Sequence, residues 1–302
     1  MGDRAFYRHY LLLAVPMILQ NAITNLVSFL DNIMVGQLGT EQMSGVAIVN
    51  QLIFVYNLAI FGAVSAASIF GAQYFGNGDH RGHMHSFRFK LYATLLVSGL
   101  TMLLLLTKGS DLISLYLTDT AGNGATDVAL QYGKQYLVIM LVGLVPFAVN
   151  QAYATNIKET GQTLVPMLAS FVAVGTNAVL DYLLIFGVGP FPELGVTGAA
   201  LATVIARYVE AVIVVFWAHR NREKNRYLEG AYRGFGIPVS ELKTILIKGL
   251  PLMFNEVLWA AGMTTVTQCY SVRGLDVVAG LNIATTITNL FNIVYIQLGA
   301  CI

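Results

Sequence analysis

The sequence predicts an all-α integral membrane protein: one complete six-helix lobe followed by the first two helices of a second, pseudo-symmetric lobe. Three observations carry that prediction. The 302 residues are 56% hydrophobic and only 11% charged, against roughly 45–50% apolar and about 25% charged in soluble domains. Eight apolar segments each approach or exceed the length needed to cross a hydrocarbon core of about 30 Å, which takes about 20 helical residues. The start of the seventh segment also repeats the start of the first at a constant offset.

The first segment, 11–35, follows Arg4 and Arg8 and stops only at Gly36 and Gly39. A basic start before an apolar run also fits a secretory signal, but this run is too long and lacks a small-residue cleavage site, so it reads as a retained helix. The further segments fall at 46–75, 87–107, 132–155, 164–187, 194–218, 245–270 and 277–302. Their interiors contain Pro16, Pro146, Pro166 and Pro251. Bends are expected there, because bilayer helices tolerate proline where neighbouring groups or water satisfy the freed carbonyls.

Alternate connections differ sharply in charge. One side carries Arg4, Arg8, Arg81, Arg88, Lys90, Lys158, Arg220, Arg222, Lys224, Arg226, Arg233, Lys243 and Lys248, and the other only Lys108, Lys134 and Arg273. The positive-inside rule then puts the N-terminus in the cytoplasm; the membrane is expected to be the bacterial inner membrane. This divides it into a lobe at 1–218, a cytoplasmic basic linker at 219–244, and two helices of an incomplete lobe at 245–302. An offset of 235 pairs Pro16 with Pro251, Gly39 with Gly274, Glu41 with Asp276 and Gly45 with Gly280, the repeat pattern of secondary transporters. Because the chain stops at "LGACI" without a polar tail, it is expected to be a fragment lacking four helices.

Several function classes are set aside by composition. A net charge of +1 gives nucleic acid no electrostatic footprint. Cys269 and Cys301 lie in apolar runs without metal-ligand spacing and read as packing residues. "GNGD" at 76–79 matches the GxGD of intramembrane aspartyl proteases, but Asp79 lies in the polar stretch "GNGDHRGHMHSFRFK", not inside a span. His80, His83 and His85 of that stretch are expected to be solvated cytoplasmic surface, since no cysteine or carboxylate frames them as metal ligands. No nucleophile elbow, P-loop or dinucleotide fingerprint occurs, so no enzymatic activity or cofactor is expected.

Chemistry is expected from the acids inside spans: Asp31, Asp181, Glu210 and Glu256. A charge at the bilayer centre costs about 2.5–3.5 kcal/mol even on insertion scales, which marks each as a functional candidate. Gln20, Thr24, Ser28 and Asp31 follow at intervals of four, four and three, stacking on one helix face. That stripe faces either a watery cavity or a neighbouring helix through hydrogen bonds. Asn177 and Asp181 are one turn apart, with Ser170 two turns earlier. Their oxygens suit a hard cation such as Na+, the carboxyl alone a proton, and a structural hydrogen-bonded pair is the third possibility. Arg207 and Glu210, at i and i+3, are expected to neutralise each other. Glu256 sits early in its span, where a cytoplasmic end residue and a substrate-facing one are equally compatible.

Four segments resemble the multidrug and toxic compound extrusion (MATE) family: "VPMILQNAITNLVSFLDNIMVGQLG", "GTNAVLDYLLIFG", "GVTGAALATVIARY" and "KGLPLMFNEVLWAAG". The resemblance runs over essentially the whole chain. It implies a monomeric antiporter of two six-helix lobes in the lipid bilayer that exports cationic or amphipathic small molecules in exchange for Na+ or H+. It implies a cation or proton site at Asp31, Asn177, Asp181 and Thr203, with Pro16 as the bending proline. Tyr136 and Asn150 match polar positions of the fourth helix and join Gln20, Thr24, Ser28 and Glu256 as cavity candidates. Glu256, five residues past Pro251, is shallower than the acid some branches use. A flippase for lipid-linked precursors, from the same broader superfamily, is the alternative, and it would need a strongly cationic cavity.

Overall fold

The computed structural model describes residues 4–116, 125–233 and 236–271, with scattered helical positions from 288 to 299. The expected eighth span at 277–302 falls largely outside the described residues, as do the side chains of Ser28 and Glu256. Among the described residues the regular structure is entirely helical: α1 (Arg4–Gly36), α2 (Thr40–Gly76), α3 (His80–Tyr116), α4 (Ala125–Val142), α5 (Leu144–Glu159), α6 (Leu164–Phe186), α7 (Val196–Arg220) and α8 (Val239–Ser271), with a 3-10 turn at Arg226–Leu228. Helices α2, α3, α6 and α7 are each long and apolar enough to cross a membrane. Helices α1 and α8 have 33 residues each, well beyond the roughly 20 that a span requires.

The expected fourth span is two helices, α4 and α5, which meet at 44°. Pro146 explains the break, since it has no N–H to offer the carbonyl of Val142 one turn earlier. Side chains from neighbouring helices take up the carbonyls at the bend. The Tyr208 hydroxyl donates to Val142 O at 3.5 Å, Arg207 Nη1 to Gly143 O at 3.4 Å, and the Tyr56 hydroxyl to Leu144 O at 2.8 Å. The other prolines act differently. Pro166 falls in the first turn of α6, where its N–H would have had no intrahelical acceptor. Helices α1 and α8 continue through Pro16 and Pro251.

Helix α2 packs against α3, α4, α5 and α8, while α7 packs against α4, α5 and α6, and α1 lies along α6. Small residues permit this density. A Cβ on Gly45 would stand 2.5 Å from the Ala129 carbonyl oxygen and 2.9 Å from Gly133 N, so α2 and α4 touch backbone to backbone. One apolar core joins Val49, Ile53 and Tyr56 of α2 to Met140 of α4 and Val204 of α7. A second joins Phe87, Tyr153 and Val214 to Tyr227 and Leu228 of the linker. On the outside, Leu96, Leu103, Val212 and Phe216 are 62–66% exposed, a surface suited to lipid.

The histidine expectation is overturned. The stretch "HRGHMHSFRFK" is not a loop: α3 begins at His80, and Asp79 accepts from the N–H groups of Arg81 and Gly82 in the manner of an N-cap. His83 is buried, 3.2 Å from Asn156 Nδ2 and 3.3 Å from Glu159 Oε2. Lys90, seven residues on and on the same face, is fully buried, forms an ion pair with Glu159 and donates to Asn156 Oδ1 at 2.5 Å. His85 meets Glu241 of α8 at 2.8 Å. Of the three, His80 alone is exposed. The physical reason is helical spacing, which aims every third or fourth residue at α5 once the segment is helix.

The linker also folds inward. Tyr227, Leu228 and Ala231 are buried, and the Arg88 guanidinium donates to the carbonyls of Gly230, Ala231 and Gly236 at 2.6, 2.9 and 2.8 Å. Arg88 thus pins the connection to α3. The cluster around Lys90 yields a stability prediction. Glu159→Ala strands a buried ammonium and should lower stability by about 3–5 kcal/mol. Lys108→Ala breaks a pair that is 65% and 69% exposed and should change it by less than about 1 kcal/mol. Thermal unfolding in detergent compares the two.

Candidate functional site

Gln20 and Asp31 lie eleven residues apart on α1, close to three full turns, so they share a face about 16 Å apart along the axis. The polar stripe between them divides. Gln20 Nε2 donates to Ser170 Oγ of α6 at 2.7 Å. Thr24 is exposed, and its hydroxyl donates to the Gln20 carbonyl of its own helix at 2.9 Å. Asp31 is half-buried, and its Oδ1 is shut off from solvent with no hydrogen-bond partner.

Helix α6 presents Ser170, Asn177 and Asp181 on one face, all buried. Asp181 is 1% exposed, and its Oδ1 also has no partner. Asn177 Nδ2 donates to Thr203 Oγ1 of α7 at 3.5 Å. From α4, Tyr136 is 1% exposed and its hydroxyl donates to Asn50 Oδ1 of α2 at 3.3 Å. Asp31, Asp181 and Arg207 also lie close enough to Tyr136 to act on it electrostatically. The two carboxyls act electrostatically on each other. Asp31, Tyr136, Asn177, Asp181 and Thr203 therefore form one cluster drawn from α1, α4, α6 and α7.

Two carboxyls close enough to act on one another among apolar helices repel when both are ionised, and a positive charge near them relieves the repulsion. The donor set fits a hard monovalent cation: carboxylate oxygens left without partners, an amide and two hydroxyls. A proton shared by the carboxyls satisfies the same electrostatics.

Other expected residues lie elsewhere. Pro16 is buried in α1, fifteen residues before Asp31, or about 22 Å along the helix. Asn150 of α5 is 3% exposed with an unpartnered Oδ1 and makes no hydrogen bond to the cluster. Arg207 and Glu210 do not form an ion pair: Arg207 turns to Gly143 and sits over the Phe147 ring at 5.2 Å, while Glu210 accepts from Ser170 at 2.5 Å. Positions three apart on a helix point in directions that differ by about 60°, enough for each to dock on a different neighbour. Asn50 was not anticipated. The signal was present in "VNQLIFVYN", where Asn50 and Asn57 stand seven apart in an apolar run.

A bundle of long apolar helices with buried carboxyls in its interior is a polytopic α-helical membrane protein. The family model MatE matches residues 16–183, more than half of the chain, and the chain belongs to that family. It is 26% identical over 280 residues to the probable multidrug resistance protein NorM of Thermotoga maritima, covering 92% of this chain and 58% of that protein. It is 30% identical over 224 residues to the probable NorM of Rhizobium meliloti, covering 73% and 46%. The chain thus spans about half the length of these curated relatives. Among solved structures, a MATE crystal structure in the bent conformation matches with a TM-score of 0.83 at 23% identity, over 98% of this chain and 63% of that one. A MOP superfamily transporter from Pyrococcus furiosus, described as having a binding pocket of reversed polarity that suggests a different function, matches with a TM-score of 0.78 at 21% identity, over 97% and 62%. These likenesses establish the fold.

Tyr136→Phe removes the hydroxyl that reaches Asn50. It should lower stability by about 1–3 kcal/mol, the cost of leaving buried polar partners unsatisfied, measured by thermal unfolding in detergent.

Proposed function

We propose that this chain supplies the ion-coupling lobe of a cation-coupled multidrug efflux antiporter that exports cationic or amphipathic small molecules by alternating access. What supports this reading is that Asp31 and Asp181 act on one another electrostatically, each with a buried oxygen lacking a partner, beside Asn177, Thr203 and Tyr136. Such a site is incomplete without a positive charge, so Na+ or H+ binds it as the coupling ion. Loading the site changes how α1 is held against α6. A substrate cavity bounded by α1 then differs between loaded and empty states, and the two ligands favour different members of one equilibrium.

A hinge at Pro16 fits this scheme, since proline removes a backbone hydrogen bond and lowers the cost of bending α1. The relatives named as multidrug resistance proteins support the choice of substrate class. The flippase alternative draws less support, because Arg207 is occupied by Gly143 and Phe147 and offers little to a pyrophosphate. The protein works as a monomer in the inner membrane, N-terminus in the cytoplasm.

Sodium titration by calorimetry on either side of neutral pH tests the site. Saturable binding is expected and should vanish in Asp181→Asn. Absence of sodium binding in the parent points to the proton, and Asp31→Asn should then abolish efflux in cells that express the protein. Efflux that survives this substitution would falsify the reading. Topology is checked separately in a cysteine-free background: Arg233→Cys should react with an impermeant maleimide in inside-out vesicles and stay unlabelled in intact cells.

A further inference from the structure

Glu210 is the acid that the cluster at Asp31 and Asp181 leaves out. It lies ten residues before Arg220, the last residue of α7, about 15 Å from that helix end. Glu210 is partly exposed, and it meets Ser170, six residues into α6. An ionised group inside a span is paired, neutralised or functional. The expected partner, Arg207, is turned toward α5, with Nη1 3.4 Å from Gly143 O and its guanidinium over Phe147. It lies within the field of Glu210 but forms no ion pair with it. Among the described residues, no lysine, arginine or histidine forms an ion pair with Glu210.

What meets the carboxylate is a neutral hydroxyl. Ser170 of α6, 6% exposed, donates to Glu210 Oε1 at 2.5 Å and accepts from Gln20 Nε2 of α1 at 2.7 Å. That fixes the Gln20 amide with its nitrogen spent on Ser170. Its oxygen, Oε1, is shut off from solvent and has no hydrogen-bond partner. The Ser170 hydroxyl thus links the Gln20 amide nitrogen to the Glu210 carboxylate, and the amide oxygen is left unpaired where unsatisfied polar atoms are costly.

The placement repeats that of the first cluster. Gln20 precedes Asp31 by eleven residues on α1, and Ser170 precedes Asp181 by eleven on α6. Eleven residues are close to three turns, so the same faces of the same two helices meet twice, about 16 Å apart. Helix α7 contributes to both levels, Thr203 to one and Glu210 to the other.

We propose that Gln20, Ser170 and Glu210 form a second cation station, on the cytoplasmic side of the Asp31 and Asp181 pair, which takes one positive charge as Na+ or H+. This rests on the ion-coupled reading above and extends it. The coupling ion passes from the carboxyl pair to Glu210 on its way to the cytoplasm, instead of leaving the first site directly for water. A sodium ion would find hard oxygen ligands in the Gln20 amide, the Ser170 hydroxyl and the Glu210 carboxylate. A proton would make Glu210 a donor and remove its charge.

The test uses the purified chain in detergent, with Glu210→Gln, Gln20→Leu and Asp181→Asn compared by sodium calorimetry and by infrared detection of protonated carboxyl groups. If the station takes sodium, the parent binds two equivalents, Glu210→Gln removes one, and Asp181→Asn removes the other. If it takes a proton, Glu210→Gln abolishes a protonated-carboxyl band that Asp181→Asn leaves in place. Gln20→Leu keeps the carboxylate and guards against a folding artefact: it should weaken the same sodium equivalent or shift the same band. The station is overturned if Glu210→Gln leaves both sodium stoichiometry and carboxyl bands unchanged while Asp181→Asn abolishes binding, an outcome in which the first site stands. A Glu210-dependent signal with no effect of Asp181→Asn upholds the station and overturns the first site.

Discussion

The constraint on which this structure depends is the absence of water in the bilayer core, which obliges the protein to satisfy its own backbone. Most of the chain meets it trivially, by being helix. The break at Pro146 does not, and its solution fixes the bundle. The carbonyls of Val142, Gly143 and Leu144 are taken by Tyr208, Arg207 and Tyr56, so that α2, α4, α5 and α7 are tied together at one level. This ordering also spends Arg207. A guanidinium recruited to a bent backbone and stacked on Phe147 is not available to neutralise the acid one turn along its own helix.

Satisfied charges and unsatisfied ones separate cleanly in space. Near the ends of α3 and α5, Lys90, Glu159, Asn156 and His83 form a closed cluster, and Arg88 holds three carbonyls of the linker. These groups find their partners within the protein and serve as structure, comparable to buried ion pairs that strand a charge when one member is lost. Between α1, α6 and α7 the opposite holds. Asp31, Asp181 and Gln20 each keep an oxygen without a partner, and Glu210 has an uncharged neighbour where a cation was expected. An incomplete polar site inside a membrane protein is maintained because something else completes it. In the proposed function that something is the coupling cation.

Helix packing explains why α1 is suited to such a change. It lies mainly along α6, joined by the contacts at Gln20 and by the electrostatics of the carboxyl pair. Helices α2 and α7, in contrast, sit in the apolar cores and touch several partners each. An element with few neighbours is the one that can shift at low cost. The proline within it precedes both polar levels along the helix.

The sequence by itself determined that the chain is helical and membrane-bound, because apolar runs of span length admit few other structures in lipid. It also singled out Asp31, Asn177 and Asp181, since carboxyls in such runs carry an energetic cost, and the spacing of residues on a helix shows which share a face. The family followed from "LDNIMVGQLG" and "TNAVLDYLL" in the same way. Only the tertiary structure decided which neighbour each face meets. That Arg207 serves α5 and Glu210 serves α6, that Tyr136 reaches Asn50, and that His83 is buried against Glu159 all depend on helices far apart in the chain. The break at Gly143 belongs to the same class: Pro146 announces a lost hydrogen bond, but the side chains that replace it come from α2 and α7. Periodicity is a property of one segment, whereas partnership between charges is a property of the packing.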